Sequence, residues 1–242
     1  MLIRKILSNW YKLFVLFSLL VLFSACDTTE NNTGTVSLNF GSGSPALGKV
    51  NVDGLVLNEV KILLRDIKLE HEDGEDFELD SESESDDQEE NIKVGPFVVN
   101  LNVDGVTTDF AVNGIPAGTY DEIKFKIHKL EASEIAPDPA FKEGDDSSQR
   151  YSVIVKGTYN SVPFVYKSRK SAHQELEFNP PIIVESGTAV SLTITVDPYS
   201  WFYKDGLLLD PSNSSNENDI DHNIERSFKK AFEDNDDDGE ED

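Results

Sequence analysis

Cysteine is all but missing, since Cys26 is the only one among 242 residues. No disulfide can form within the chain, and a cysteine-based metal cluster is excluded with it. Long apolar runs are missing as well. The most hydrophobic stretch, 13–23, is far short of the roughly 20 residues that a membrane-spanning helix needs. Bases are scarce, with 21 Lys and Arg against 46 Asp and Glu, for a formal charge of -25. Such a surface repels nucleic acid and anionic headgroups, so neither is expected as a partner. The four histidines, His71, His128, His173 and His222, show no H-E-x-x-H spacing. No Walker A loop, dinucleotide fingerprint or nucleophile elbow occurs. A Ser-His-Asp triad is open on sequence order alone, yet no residue pattern favours one. The expectation is therefore a protein that is not an enzyme.

What the chain does have begins with the place of its one thiol. Arg4, Lys5 and Lys12 precede the apolar run, and the small residues Ser24 and Ala25 stand directly before Cys26. A charged n-region, a short h-region and small residues before cysteine form the signal peptide of a bacterial lipoprotein. Phe23 stands where leucine is commoner. Acyl chains on Cys26 would anchor the chain to a lipid bilayer, each buried methylene adding roughly 0.8 kcal/mol.

The acidity is local. Twelve acids lie between Glu72 and Glu90 and eight between Glu233 and Asp242, leaving 26 against 18 bases across the rest of the chain after residue 25. That remainder has the charge of an ordinary globular surface. Its hydrophobic pattern is β. Val60, Ile62 and Leu64 alternate with Lys61, Leu63 and Arg65, after which the apolar phase moves to Ile67 and Leu69. A one-residue change of phase predicts a bulge near Arg65 and Asp66. Further strands are expected at 97–103, 108–112, 120–130, 151–159, 162–167, 174–178 and 188–196, with turns at Asp104-Gly105, Asn160-Ser161, Pro180-Pro181 and Ser186-Gly187. In Gly114 to Tyr120, Pro116 fixes φ, Gly118 permits a positive φ, and the Tyr120 ring packs over the turn. His128 falls on an outward strand face. His173 and Glu175 share a face, a pair that could clip zinc but reads as an exposed strand pair. The predicted fold class is all-β, an antiparallel β-sandwich with a short C-terminal helix.

The order TVSLNF at 35–40, VKILLRDIKLEH at 60–71, GPFVVNL at 95–101, GIPAGTYDEIKFKI at 114–127 and VSLTITVDPYSWF at 190–202 resembles a family of uncharacterised envelope lipoprotein domains of Bacteroidota-type bacteria. The resemblance implies a membrane-tethered sandwich and names no substrate. Asp27 beside the anchor would retain a lipoprotein in the inner membrane under the enterobacterial rule. Bacteroidota-like sorting differs, and the outer membrane is the expected location.

The acidic loop at 71–91 reads as a long solvated hairpin loop. The tail is more specific. Asp234, Asp236, Asp238 and Gly239 spell D-x-D-x-D-G, with the Glu240 carbonyl at position 7 and Asp242 at position 9. This resembles the calcium loop of EF-hands and thrombospondin type 3 repeats, in which the glycine curls carboxylates onto one hard cation. Ile220, Ile224, Phe228 and Phe232 recur at helical spacing ahead of it, predicting an amphipathic helix that runs into the loop. No bidentate glutamate follows at position 12, so the site would be weak, with the α-carboxylate of Asp242 filling out the shell. Tyr199, Trp201, Phe202 and Tyr203 cluster after the last strand, as core aromatics or as rings that contact a glycan or protein ligand.

The expected organisation is a signal peptide at 1–25, a tether at 26–34, the sandwich at 35–203, a linker at 204–218, and the helix with its calcium-loop-like tail at 219–242. The first functional reading is an anchored envelope lipoprotein with a non-enzymatic binding or structural role. A carbohydrate-binding or adhesive surface lipoprotein comes second, and an unrecognised hydrolase third.

Overall fold

Alternation of the kind seen at 60–69 and 123–127 gives each strand one apolar face, and two sheets close on each other to bury those faces. The computed structural model describes residues 32–42, 52–74, 76–78, 81–82, 92–93, 96–101 and 110–233. The strands are β1 (Thr33–Ser42), β2 (Leu55–His71), β3 (Asp76–Glu78), β4 (Ser81–Glu82), β5 (Ile92–Lys93), β6 (Phe97–Leu101), β7 (Phe110–Pro116), β8 (Gly118–Ile127), β9 (Val153–Tyr159), β10 (Val162–Ser168), β11 (Ala172–Val184), β12 (Ala189–Val196), β13 (Tyr203–Lys204), β14 (Leu207–Leu208) and β15 (Phe228–Glu233), with helix α1 (Glu217–Glu225) before the last. One sheet has the order β15-β12-β1-β7, and the larger runs β10-β9-β2-β8-β11, with β3 and β6 also on β2. All pairings are antiparallel except β1 beside β12. This is the all-β sandwich with a short C-terminal helix. Phe40 on β1 meets Phe125 on β8 edge-on at 6.4 Å, and Phe125 meets Phe228 at 5.1 Å, so aromatic contacts join the two sheets. No helix among the described residues is long and apolar enough to cross a membrane.

The long strand β2 organises the larger sheet. Its phase change is a bulge: Asp66 has φ 56, the register with β8 shifts between Arg65 and Lys68, and Ile67 and Leu69 are buried beside Val60, Ile62 and Leu64. Val60 pairs with Leu101 on one side and Val155 on the other, while Leu64 pairs with Phe97 and Ile127. Strands β9 and β8 therefore lie end to end along the same edge of β2. They meet at Leu63, whose N–H donates to Ser152 O and whose carbonyl accepts from His128 N–H, both at 2.8 Å. The chain leaves the sheet at His128 and returns at Ser152.

That excursion, 128–152, folds over the outer face of the sheet. Leu63 and Ile154 point outward from the main core, yet Leu130 and Phe141 cover them, and all four are essentially fully buried. Each such burial contributes roughly 1.5–3 kcal/mol. A turn of 3-10 helix at Pro139–Phe141 places Phe141, and Asp138 caps it by accepting from Ala140 N–H at 2.9 Å. His128 is 3% exposed under this cover, which corrects the outward placement expected from strand alternation.

At the Gly114 to Tyr120 corner, Tyr120 Oη donates to Pro116 O at 2.8 Å, as expected of a ring packed over the turn. The positive φ belongs to Gly114, at 82, and not to Gly118. A Cβ at Gly118 would stand 2.2 Å from His71 Nε2, so the His71 ring, which packs edge-on against Tyr120 at 5.2 Å, would have to shift. The Pro180-Pro181 turn is also corrected. Strand β11 continues through these prolines with a cis Asn179–Pro180 bond, and its register with β8 jumps between Glu177 and Ile182. The acidic segment begins as a hairpin arm, with Asp76–Glu78 pairing back onto Lys68–Glu70, while residues 83–91 lie outside the described residues.

The C-terminal region departs most from expectation. Residues 204–218 are an ordered run rather than a bare linker: β13 pairs with β14, Asp210 Oδ1 accepts from Ser212 N–H at 2.8 Å, and Asn213 Oδ1 accepts from Ser215 N–H at 3.0 Å. Helix α1 stops at Glu225, and Ser227 Oγ donates to Ile224 O at 2.8 Å just past its end. Phe228–Glu233 is then a strand on the edge of β12, from Val196 beside Phe228 to Leu192 beside Glu233. A spacing of four suits one face of a helix and one face of a strand alike, and the open edge of β12 decides for the strand. The tail is thus entered from a strand, without the incoming helix of an EF-hand.

Candidate functional site

Helix α1 is pinned by its polar residues as much as by its apolar ones. Ile220 and Ile224 enter the main core. Asn223 Nδ2 donates to Trp201 O at 2.9 Å and to Tyr203 O at 2.8 Å, and Gln174 Nε2 on β11 donates to Glu225 O at 2.9 Å. Lys204 pairs with Asp219 at 2.8 Å, and Arg169 pairs with Glu217, whose hydrogen bond first and charge second push the guanidinium pKa up.

Between the last turns of α1 and the connection from β10 to β11 lies a cleft of about 220 Å³. Ile127, Ala172 and Ile224 supply its apolar wall, and Asp221, Glu225 and Lys170 its charges. Asp221 is 6% exposed. Tyr166 Oη donates to its Oδ1 at 2.7 Å, while Oδ2 is buried without a hydrogen-bond partner. Burial, followed by the Asp221 charge and hydrogen bond, pushes the Tyr166 phenol far above its ordinary range and keeps it protonated as a donor. Ser168, 1% exposed, also lines the cleft, and its Oγ accepts from Lys170 N–H at 3.3 Å. On the exposed rim, His222 Nδ1 stands 3.6 Å from Glu225 Oε2. The arrangement offers one half-satisfied carboxylate in an otherwise well-bonded wall.

A second convergence of charge clamps the 128–152 excursion. Glu134 pairs with Arg65, accepts from Glu131 N–H at 2.6 Å, and stands 2.7 Å from His128 Nε2. Burial works to raise the Glu134 pKa, but the Glu131 N–H, the His128 hydrogen bond and the Arg65 charge outweigh it and hold the carboxyl below its usual value. Lys61 bridges Asp138 and Glu59, both at 2.8 Å, and Asp138 is held low by Lys61 first and the Ala140 N–H second. These groups tie the excursion to β2.

The residues singled out from sequence fall in several places. Tyr199, Trp201 and Phe202 are buried, at 4%, 0% and 0% exposure, and only Tyr203 of the four is half-exposed, its hydroxyl donating to Asp53 at 3.0 Å. They cap the core because Phe202 meets Phe164 and Tyr166 edge-on, at 5.8 and 6.0 Å, and so they form no ligand platform. His173 and Glu175 lie exposed opposite Lys126 and Lys124, and no group of three metal-ligating side chains occurs among the described residues. Cys26 and the calcium-loop residues Asp234, Asp236, Asp238, Glu240 and Asp242 lie outside the described residues. Sequence reading missed the pairing of Asp221 with Tyr166. One signal was available: Asp221 stands between Ile220 and Ile224 in the apolar stripe of α1, where an acid has to be bonded or used.

No protein-family model matches the chain, and no curated protein does. Among solved structures, MbnP from Methylosinus trichosporium is similar at a TM-score of 0.47 and 10% identity, over 75% of this chain and 82% of that chain. The functional reading therefore rests on the residues of this chain.

Proposed function

We propose that the chain is an envelope lipoprotein of the Bacteroidota-type domain family it resembles, acylated at Cys26, held on the outer membrane, and working by binding or scaffolding rather than by catalysis. The observation that carries the reading is the short span between anchor and fold. Strand β1 begins at Thr33, seven residues after Cys26. Seven extended residues reach at most about 25 Å, so the acyl chains would hold the sandwich against the bilayer surface. The convergent charges support a structural role, since the Arg65, Glu134 and His128 group and the Lys61, Asp138 and Glu59 group secure a surface excursion. Burial of Trp201 and Phe202 weighs against the glycan-binding alternative. The acidic tail is proposed as a calcium-ordered extension of edge strand β15, on the strength of its D-x-D-x-D-G spacing.

Metabolic labelling with an alkyne palmitate in a bacterial host tests the anchor. The full chain is expected to take up label and to fractionate with membranes, and Cys26→Ser to lose both. Label retained in Cys26→Ser, or a wild-type chain that stays unlabelled, would overturn the reading.

A further inference from the structure

We propose that the 128–152 excursion is an acid-released flap, which lifts from the outer face of the larger sheet when its carboxylates take up protons and so uncovers Leu63 and Ile154. Among the described residues three ion pairs join the excursion to the sheet, and all three have the same polarity. Glu134 pairs with Arg65, Asp138 with Lys61 at 2.8 Å, and Glu143 with Lys167, so each acid belongs to the excursion and each base to β2 or β10. Protonation therefore weakens every one of these ties. The apolar hold is small and separate, since Leu63, Leu130, Phe141 and Ile154 form a cluster distinct from the main core. Both ends of the excursion are bonded to one residue: Leu63 O accepts from His128 N–H, and Leu63 N–H donates to Ser152 O. The excursion can lift about that point while β8 and β9 keep their pairing with β2. It is also longer than the roughly 12–15 residues beyond which a loop is usually functional or disordered, and this one is ordered.

The surrounding charges fix the sign of the pH dependence. Glu134 meets Arg65 and His128, and Asp66 shares Arg65 at 3.2 Å. Asp138 meets Lys61, which Glu59 shares at 2.8 Å, with the Lys156 charge of β9 acting on both acids. Glu143 meets Lys167 and accepts from Tyr151 Oη at 2.9 Å. Asp146 accepts from Ser148 N–H at 2.8 Å and feels the charges of Arg150 and Lys129, while Asp145 stands 3.4 Å from Lys142. Asp138 and Glu143 are held below their ordinary range chiefly by their lysines, and Asp146 by the Ser148 hydrogen bonds. Glu134 is held low against its burial by the Glu131 N–H, the His128 hydrogen bond and the Arg65 charge. The hold of these groups is complete above the ordinary carboxylate range and is lost as pH falls through their folded-state values. Once they are neutral, Lys129 remains among the like charges of Arg150, Arg169 and Lys170, which oppose the closed position.

The test is hydrogen exchange of the full chain in neutral detergent, read by mass spectrometry from pH 7 down to pH 2.5 and expressed as protection relative to the unfolded rate at each pH. Peptides over 139–151 report the flap, because the amides of Phe141, Lys142, Glu143, Gln149 and Tyr151 are all bonded within the excursion. Peptides over 123–127 and 190–196 report the sandwich. As pH falls, protection of 139–151 should drop about tenfold or more at a pH where the strands change by about threefold or less, tenfold being the scale of one hydrogen bond to a charged group. The double substitution Glu134→Gln, Asp138→Asn keeps the shape of both side chains and removes their charge. It should lower the protection of 139–151 about tenfold already at pH 7, with the strands unmoved. Excursion and strands opening together, on acidification or in the substituted chain, would overturn the inference. An excursion that outlasts the strands, or wild-type protection at 139–151 in the substituted chain, would do the same. Acylation of Cys26 plays no part in any of these outcomes.

Discussion

Replacing Glu134 with Gln probes whether the 128–152 excursion is held electrostatically. In the wild type, Oε1 pairs with Arg65, and Oε2 accepts from Glu131 N–H at 2.6 Å and stands 2.7 Å from His128 Nε2. Glutamine keeps one oxygen and turns an amide donor toward the other donors. A hydrogen bond to a charged group contributes about 1.5–3 kcal/mol, and the Glu134 side chain is only 16% exposed, so the expected loss at pH 7 is about 2–3 kcal/mol. The pH dependence has a definite sign. The folded state holds the Glu134 carboxyl below the usual 4.5, so the unfolded chain takes up the proton first as pH falls. The stabilisation is complete above about pH 4.5 and is lost as pH drops through the folded-state value. Urea unfolding of both proteins at pH 7 and near pH 2.5, followed by the fluorescence of buried Trp201, reads this directly. The gap between wild type and variant should close at the lower pH, because Gln resembles a protonated Glu. An equal gap at both pH values, or none at pH 7, would refute the clamp.

Gly157→Ala would place a Cβ 2.1 Å from Val56 O on the neighbouring strand, a backbone clash that β2 can relieve only by moving. Overpacking of this kind costs about 1–3 kcal/mol and lowers Tm by roughly 2–12 °C in a domain of this size, measurable by calorimetry, and an unchanged Tm would contradict the close β2–β9 approach. Calorimetric titration of calcium into the full chain is expected to show a site in the range of about 10⁻⁴ to 10⁻³ M that the double substitution Asp236→Asn, Asp238→Asn removes. Equal heats in both chains would leave the tail without a calcium role.

Much of this molecule was legible in local pattern. Val60, Ile62 and Leu64 followed by Ile67 and Leu69 announced both a strand and its bulge, because alternation and its interruption are written in adjacent residues. Ile123, Phe125 and Ile127 likewise named their buried face. The proposed acylation signal at Ser24, Ala25 and Cys26 is likewise a pattern of adjacent residues, readable without any fold. What local pattern could not settle was which second face would be covered. Leu63 and His128 are buried only because the chain from Leu130 to Phe141 lies over them, in contacts separated from Leu63 by scores of residues.

The C-terminal segment shows the same division from the other side. Ile220, Ile224, Phe228 and Phe232 satisfy helical and strand spacing together, so periodicity alone gave one long helix. The fold cut it at Glu225, where the unpaired edge of β12 could satisfy the backbone of 228–233. The candidate site arises at that cut. Asp221 is an acid beside an apolar stripe in the sequence, and it becomes a half-satisfied carboxylate in a cleft only when Tyr166, from a strand 55 residues earlier, takes one of its oxygens and the β10–β11 connection forms the opposite wall. Sequence by itself determined the strand pattern and the location of the charge, since each depends on near neighbours. Tertiary structure alone decided burial, hydrogen-bond satisfaction and the cleft, since these depend on which distant surfaces meet.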